Sequence, residues 1–217
     1  KRQDIIDKTN QPVESAVDCV VPAVEKVLKT GMIDKDKVGL MGHSWGGYQT
    51  AFLITQTDLF SAAIAGAPLT NMISMYNSIY WNTGTPDQQI FETSQGRLRE
   101  PYWNLMEEYV ANSPVFQAQN IKTPVLMTFG DEDGAVDYHQ GIEMYITMRR
   151  LSKPLIMLLY EGENHGLRKK ENQKDYFNKV TEFFDHHLKG HAPKDWIVEG
   201  QSYLKKKEKE SKKVIKP

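Results

Sequence analysis

The feature that most constrains this fold is a short apolar run, Val38-Gly39-Leu40-Met41, that passes directly into Gly42-His43-Ser44-Trp45-Gly46-Gly47. An apolar run of this length reads as a buried strand, and the following segment through Thr50–Thr55 reads as a helix. The glycines between them allow a very tight strand-to-helix turn. Gly42 and Gly46 are the small neighbours that would let Ser44 adopt strained backbone angles, and Gly47 would let the helix pack close to the strand.

The rest of the chain repeats this alternation. Val13, Ala16, Val17, Val20, Val21, Val24, Val27 and Leu28 fall at helical spacing, and Gly31 acts as a stop. Pro22 lies inside that pattern, so a kink or restart is expected there. Ala62–Ala65, Val125–Phe129 and Leu155–Tyr160 read as further strands, and the last is apolar throughout, as a parallel strand covered on both faces should be. Ile142, Tyr145 and Ile146 mark one intervening helix. Tyr176, Phe177, Val180, Phe183, Phe184 and Leu188 form the stripe of a final one. Residues 71–119 are irregular and rich in Met, Tyr and Trp. Strands alternating with helices predict an α/β fold, a parallel sheet flanked by helices.

In such a fold the loops after the strand C-termini meet at one edge of the sheet, where ligands bind. Three of these loops carry Ser44, the acidic run Asp131-Glu132-Asp133, and Glu161-Gly162-Glu163-Asn164-His165-Gly166. The chain order is serine, acid, histidine, the order of the nucleophile-elbow hydrolases. A serine hydroxyl is a weak nucleophile and needs a base, and a histidine base needs a carboxylate to set its tautomer.

Six histidines compete for that role. His186 and His187 fall on the final helix, with His191 beyond it, and His139 opens a helix. His43 adjoins the serine, but its side chain should point the other way. His165 alone stands in a loop directly after a strand. An EF-hand reading of the Asp131 loop fails, because position twelve is Ile142 rather than glutamate. The group His186, His187 and His191 could bind a metal, although histidines near a helix end are commonly surface residues.

The 217 residues suit one domain. With 27 basic and 28 acidic side chains, nothing global favours nucleic acid. No apolar run reaches the roughly 18–20 residues of a membrane span. The first ten residues lack the apolar core of a secretory signal. Cys19 is the only cysteine, which excludes an internal disulfide and a cysteine-based metal site; localisation stays open. Residues 205–217, KKKEKESKKVIKP, read as a solvated basic tail after a folded unit of residues 1–204.

GHSWGGY, GDEDGAV and YEGENHG together resemble the catalytic domain of the prolyl oligopeptidase family of serine peptidases, over about Val13 to Lys206. The resemblance implies an α/β-hydrolase fold, a peptide substrate, no cofactor and no metal. It assigns the nucleophile to Ser44 and the base to His165. The family's D-x-x-V pattern falls on Asp133-Gly134-Ala135-Val136, which selects Asp133 as the acid. The Trp45 N–H would be an oxyanion donor. Tyr76 and Tyr80 resemble a tyrosine pair lining the specificity pocket, with Leu69 and Trp81 nearby; an aromatic helix packed on the core is the alternative. The same triad would also serve a carboxylesterase of small acyl esters.

The family's domain begins with strands that would precede this chain, including the neighbour of the serine strand and the loop bearing a second oxyanion donor. The N-terminal strands of the fold are thus expected to be missing, leaving the Val38–Met41 strand an unpaired edge. A preceding segment or a second copy of the chain would cover it. A further alternative is therefore a catalytically impaired fragment that pairs with another chain.

Overall fold

In the computed structural model, which describes residues 12–200, four parallel strands form a central sheet. They are β1 (Gly39–His43), β2 (Ala62–Gly66), β5 (Val125–Gly130) and β6 (Leu155–Tyr160), and they stand in that spatial order. The segment between β2 and β5 holds a two-stranded hairpin of β3 (Ile79–Tyr80) and β4 (Thr85–Pro86). The basic tail and the first eleven residues lie outside the described range.

Helices α1 (Pro12–Leu28), α2 (Trp45–Gln56) and α6 (His139–Arg150) cover one face of the sheet. Helix α7 (Lys170–Lys189) and the short α8 (Asp195–Val198) cover the other. The two-residue period of the strands assigns side chains to these layers. Ala63, Val125 and Met127 enter the larger core with Tyr48 and Phe52 of α2 and Met144 of α6. Ala62, Ile64 and Leu126 enter the smaller one, where Phe183 is the buried anchor of α7. Cutting Phe183 back to alanine would cost about 3–5 kcal/mol.

The structure refines three expectations about these elements. Helix α1 runs through Pro22 without a restart. Strand β6 is covered on both faces, Leu155 and Met157 packing against the larger core and Ile156 and Leu158 against the smaller. As the outer strand beyond β5, however, it is mostly only partly buried, and Leu159 is 44% exposed. On the final helix Phe177 departs from the buried stripe and is 70% exposed. The Val38–Met41 expectation holds in extended form: among the described residues β1 pairs only with β2, and Met41 stands half in solvent.

The irregular region contains short helices rather than extended loop: α3 (Met72–Tyr76), α4 (Gln88–Glu92), α5 (Met106–Ala111) and a 3-10 turn over Pro114–Asn120. Tyr76, Phe91 and Tyr109 stack edge-on or tilted against one another with ring centroids 5.8–6.1 Å apart. The aromatic richness of the segment therefore extends the larger core, in which Tyr76, Phe91 and Tyr109 join Tyr48 and Phe52 of α2 and Met144 of α6.

No helix among the described residues is long and apolar enough to cross a membrane.

Candidate active site

Register brings the strand ends level. His43 pairs with Gly66, Gly66 with Thr128, and Gly130 with Tyr160, so the loops that follow open on one edge of the sheet.

Ser44 sits between β1 and α2 with φ 57° and ψ −123°. That region disfavours a side chain, and such strain persists only where the surroundings enforce it. Here the Ser44 N–H donates to the Gly66 carbonyl at 2.8 Å, and its carbonyl accepts from Tyr48 N–H at 2.8 Å. The turn also requires close backbone approach. A β-carbon on Gly42 would lie 2.2 Å from the Gly46 carbonyl oxygen, and one on Gly47 would lie 2.3 Å from that of Gly66. Gly46 does not share this constraint, since a β-carbon there meets open space. Gly42 thus meets the expectation for the turn and Gly47 that of close helix–strand approach, whereas Gly46 is not required by space.

His165 reaches the serine from the loop after β6. Its Nε2 lies 2.8 Å from Ser44 Oγ, and its Nδ1 lies 2.9 Å from Asp133 Oδ2 and 3.1 Å from Oδ1. With the proton on Nδ1, Nε2 is left to accept from the serine hydroxyl. The Asp133 side chain is wholly shielded from solvent. It is satisfied there by the His165 ring and by the N–H groups of Ala135 and Val136, both donating to Oδ1 at 2.9 Å. Asp131 instead accepts from the Gly162 N–H, tying the loop after β5 to the loop after β6.

Two residues that sequence reasoning passed over hold these loops. Glu163 is buried, and its carboxylate accepts from Arg168 N–H at 2.7 Å, Lys169 N–H at 3.0 Å and Asn172 Nδ2 at 2.7 Å. The Arg168 N–H holds this carboxyl below the usual carboxylate range, with the Asn172 and Lys169 donors adding to it against the opposing effect of burial. Asn164 accepts from Gly134 N–H at 3.1 Å and His165 N–H at 2.6 Å, and donates to Asn82 Oδ1 at 2.9 Å. Neither shows a periodic signal in the sequence, because their partners are backbone amides and a distant hairpin.

His43 also departs from expectation. Its ring stands 4.9 Å from that of His165, tilted by 53°, so it flanks the site rather than pointing away. Burial lowers its affinity for a proton, and the neighbouring His165 lowers it further.

A small cavity of about 80 Å³ opens beside Ser44, lined by Trp45, Leu69, Tyr80, Phe91 and His165 among others. Leu69 is placed by the loop after β2, which Gln140 of α6 holds by accepting from Thr70 and Asn71 N–H. Tyr76 does not line this cavity. It is buried in the aromatic core, donates to Glu92 Oε1 at 2.6 Å, and burial pushes its hydroxyl up to about 12. Trp81 is 65% exposed and also lies away from it. Of the four expected pocket residues, the structure brings Leu69 and Tyr80 to the serine and leaves Tyr76 and Trp81 elsewhere.

Trp45 is the first residue of α2, so its N–H has no carbonyl one turn back within the helix to receive it. Among the described residues, no group of three histidine, cysteine or acidic side chains is placed to hold a metal.

A parallel sheet with its serine on a strained strand-to-helix turn, and with histidine and acid loops on the same edge, defines an α/β-hydrolase. Residues 8–191 match the profile of the prolyl oligopeptidase family, and the chain belongs to that family. It is 36% identical over 169 residues to a rat acylamino-acid-releasing enzyme, covering 76% of this chain and 22% of that protein. It is 29% identical over 171 residues to dipeptidyl aminopeptidase BIII of Pseudoxanthomonas mexicana, covering 77% and 24%. Among solved structures, a Mycobacterium tuberculosis puromycin-hydrolysing peptidase superposes with TM-score 0.76 at 25% identity, over 85% of this chain and 27% of the other. An acylaminoacyl peptidase of Pyrococcus horikoshii shares the fold with TM-score 0.73, over 87% and 30%. The chain thus spans about a quarter or less of the length of these two curated relatives.

Proposed function

We propose that the chain is the acyl-transfer part of a serine peptidase that cleaves short peptides through an acyl-enzyme on Ser44. One observation carries this reading: Ser44 Oγ, both ring nitrogens of His165 and the Asp133 carboxylate form one connected line of 2.8 and 2.9 Å contacts. Ser44 Oγ attacks the scissile carbonyl while His165 Nε2 takes its proton. Asp133 holds the ring in the tautomer that leaves Nε2 free, and stabilises the imidazolium that forms. The carbonyl oxygen, now negative, is met by the Trp45 N–H at the positive end of α2. His165 then delivers the proton to the departing amine, and water repeats the sequence to release the acid. The names of the relatives, acylamino-acid-releasing enzyme and dipeptidyl aminopeptidase, support a peptide over an ester as substrate.

Incubation with a fluorophosphonate probe followed by peptide mapping tests the reading. Labelling is expected on Ser44 and is expected to vanish in Ser44→Ala and His165→Ala variants. An unlabelled Ser44 in folded protein would overturn it. The outer edge of β1, unpaired among the described residues, favours a second reading, in which the chain is impaired until another strand covers that edge. Under it, labelling by the isolated chain is slow and quickens when a covering chain is supplied.

A further inference from the structure

Three segments of the chain meet in one closed ring of hydrogen bonds beside Asp133 and His165. The Asn82 N–H donates to the Gly134 carbonyl at 3.0 Å. The Gly134 N–H donates to Asn164 Oδ1 at 3.1 Å, and Asn164 Nδ2 donates to Asn82 Oδ1 at 2.9 Å. Asn82 lies in the turn between β3 and β4, Gly134 in the loop after β5, and Asn164 in the loop after β6. The approach is close: a β-carbon on Gly134 would lie 2.6 Å from Asn82 Oδ1.

The ring reaches the site at two points. Gly134 follows Asp133 directly, and Asn164 precedes His165, whose N–H also donates to Asn164 Oδ1 at 2.6 Å. Asn164 Oδ1 therefore takes one backbone N–H from each loop, and its aim depends on where the other half of the amide is held. Among the described residues, Asn82 Oδ1 is the partner that holds Asn164 Nδ2.

Asn82 itself is exposed, and its φ is not in the left-handed region, so neither burial nor the turn calls for asparagine there. The hairpin could be anchored by the Asn82 N–H alone, a backbone bond that any residue except proline supplies. The side chain does something else: it fixes the rotation of Asn164.

We propose that Asn82 is a positioning residue for the proposed triad. By accepting from Asn164 Nδ2 it orients the Asn164 amide, which holds the Asp133 and His165 loops at one spacing. This rests on the acyl-transfer reading of Ser44. A misplacement of about 1 Å can cost about 10² in rate, so losing this acceptor shows in turnover before it shows in folding.

Two substitutions separate positioning from simple anchoring of the hairpin, whose Tyr80 lines the Ser44 cavity. Asn82→Ala removes the acceptor, whereas Asn82→Asp keeps one. With a p-nitrophenyl ester, Asn82→Ala is expected to lower kcat roughly tenfold with KM little changed. Asn82→Asp is expected to recover most of that loss, since a carboxylate accepts at the same place. An unchanged kcat in Asn82→Ala, a loss carried by KM, or an equal loss in Asn82→Asp would overturn the proposal.

The nitrogen-15 shifts of the His165 ring report which nitrogen carries the proton and need no turnover. They are expected to move toward a mixture of tautomers in Asn82→Ala and to stay near the parent's in Asn82→Asp. Identical shifts in the parent and Asn82→Ala overturn the positioning role. Failure of fluorophosphonate to label Ser44 in the parent strikes the acyl-transfer reading instead, and leaves the ring shifts to decide whether Asn82 positions His165.

Discussion

The His43 ring lies 4.9 Å from the His165 ring, although His43 precedes Ser44 on a strand that turns alternate side chains to opposite faces. The loop after β6 folds back over the sheet edge and meets it there. Burial, and after it the His165 charge, keeps His43 harder to protonate than a free histidine. A folded-state value below the unfolded one, near 6.5, means that the unfolded chain binds more protons as pH falls through that value. Stability is therefore expected to drop as pH falls below about 6.5. Thermal melting between pH 7.5 and 5.5 checks this, and His43→Gln should flatten the slope.

In the proposed mechanism Asp133 acts through the tautomer of His165, so its isosteric amide should damage turnover far more than folding. Asp133→Asn is expected to lower kcat by roughly 10³–10⁴, with a melting temperature close to that of the parent. A loss of less than tenfold in peptide or ester hydrolysis would remove Asp133 from the proposed triad.

The elbow glycines separate cleanly. Gly47→Ala drives a methyl group against the Gly66 carbonyl, a backbone atom of the neighbouring strand. It should cost about 2–4 kcal/mol in denaturant unfolding and abolish labelling of Ser44. Gly46→Ala meets open space and should fold as the parent does; alanine also favours the helix by about 1 kcal/mol over glycine.

Glu163 binds the His165 loop to the start of α7. Its carboxyl is held below the ordinary range, so its contribution is present above the unfolded value near 4.5 and is lost as pH falls through the lowered folded value. Glu163→Gln should remove part of the acid-side fall in melting temperature. Because the Glu163 backbone also caps the Glu132 N–H, the variant should lower kcat by displacing His165 while KM changes little.

Asp87 is buried beside the pocket hairpin, and neither carboxylate oxygen has a hydrogen-bond partner among the described residues. Burial raises its carboxyl to about 6. The folded chain then binds the extra proton, and stability falls as pH rises from about 4 to 6. Asp87→Asn should therefore stabilise the protein at pH 7, by on the order of 1 kcal/mol, with the gain fading toward pH 4. Melting curves of the two proteins at pH 4 and pH 7 provide the comparison.

The order of strands and helices, and the residues of the proposed triad, were legible because they rest on local signals. Apolar runs of strand length, glycines at a turn, and the sequence serine, acid, histidine are each written within a few consecutive residues. The choice among Asp131, Glu132 and Asp133 needed the family resemblance, and the structure separates them by burial and by the two amides aimed at Asp133 Oδ1. Tyr76 illustrates the opposite case. Its sequence neighbours cannot say whether a tyrosine on a short helix faces a pocket or a core, since that depends on Tyr102, Tyr109 and Phe91 arriving from other segments.

Sequence alone thus determined the α/β alternation, the strained elbow and the chemistry that Ser44, Asp133 and His165 are suited to, because strand, turn and helix preferences act over a few residues. Only the tertiary structure decided that Gly46 faces open space, that His43 flanks His165, and that Glu163 and Asn164 hold the His165 loop. Most of those facts depend on groups brought together from separate strands and loops, Gly47 with Gly66, His43 with His165, and Asn164 with Gly134 and Asn82. The Glu163 contacts lie within one loop and the helix start after it, but they rest on backbone and side-chain amides, and no apolar pattern encodes either kind of contact.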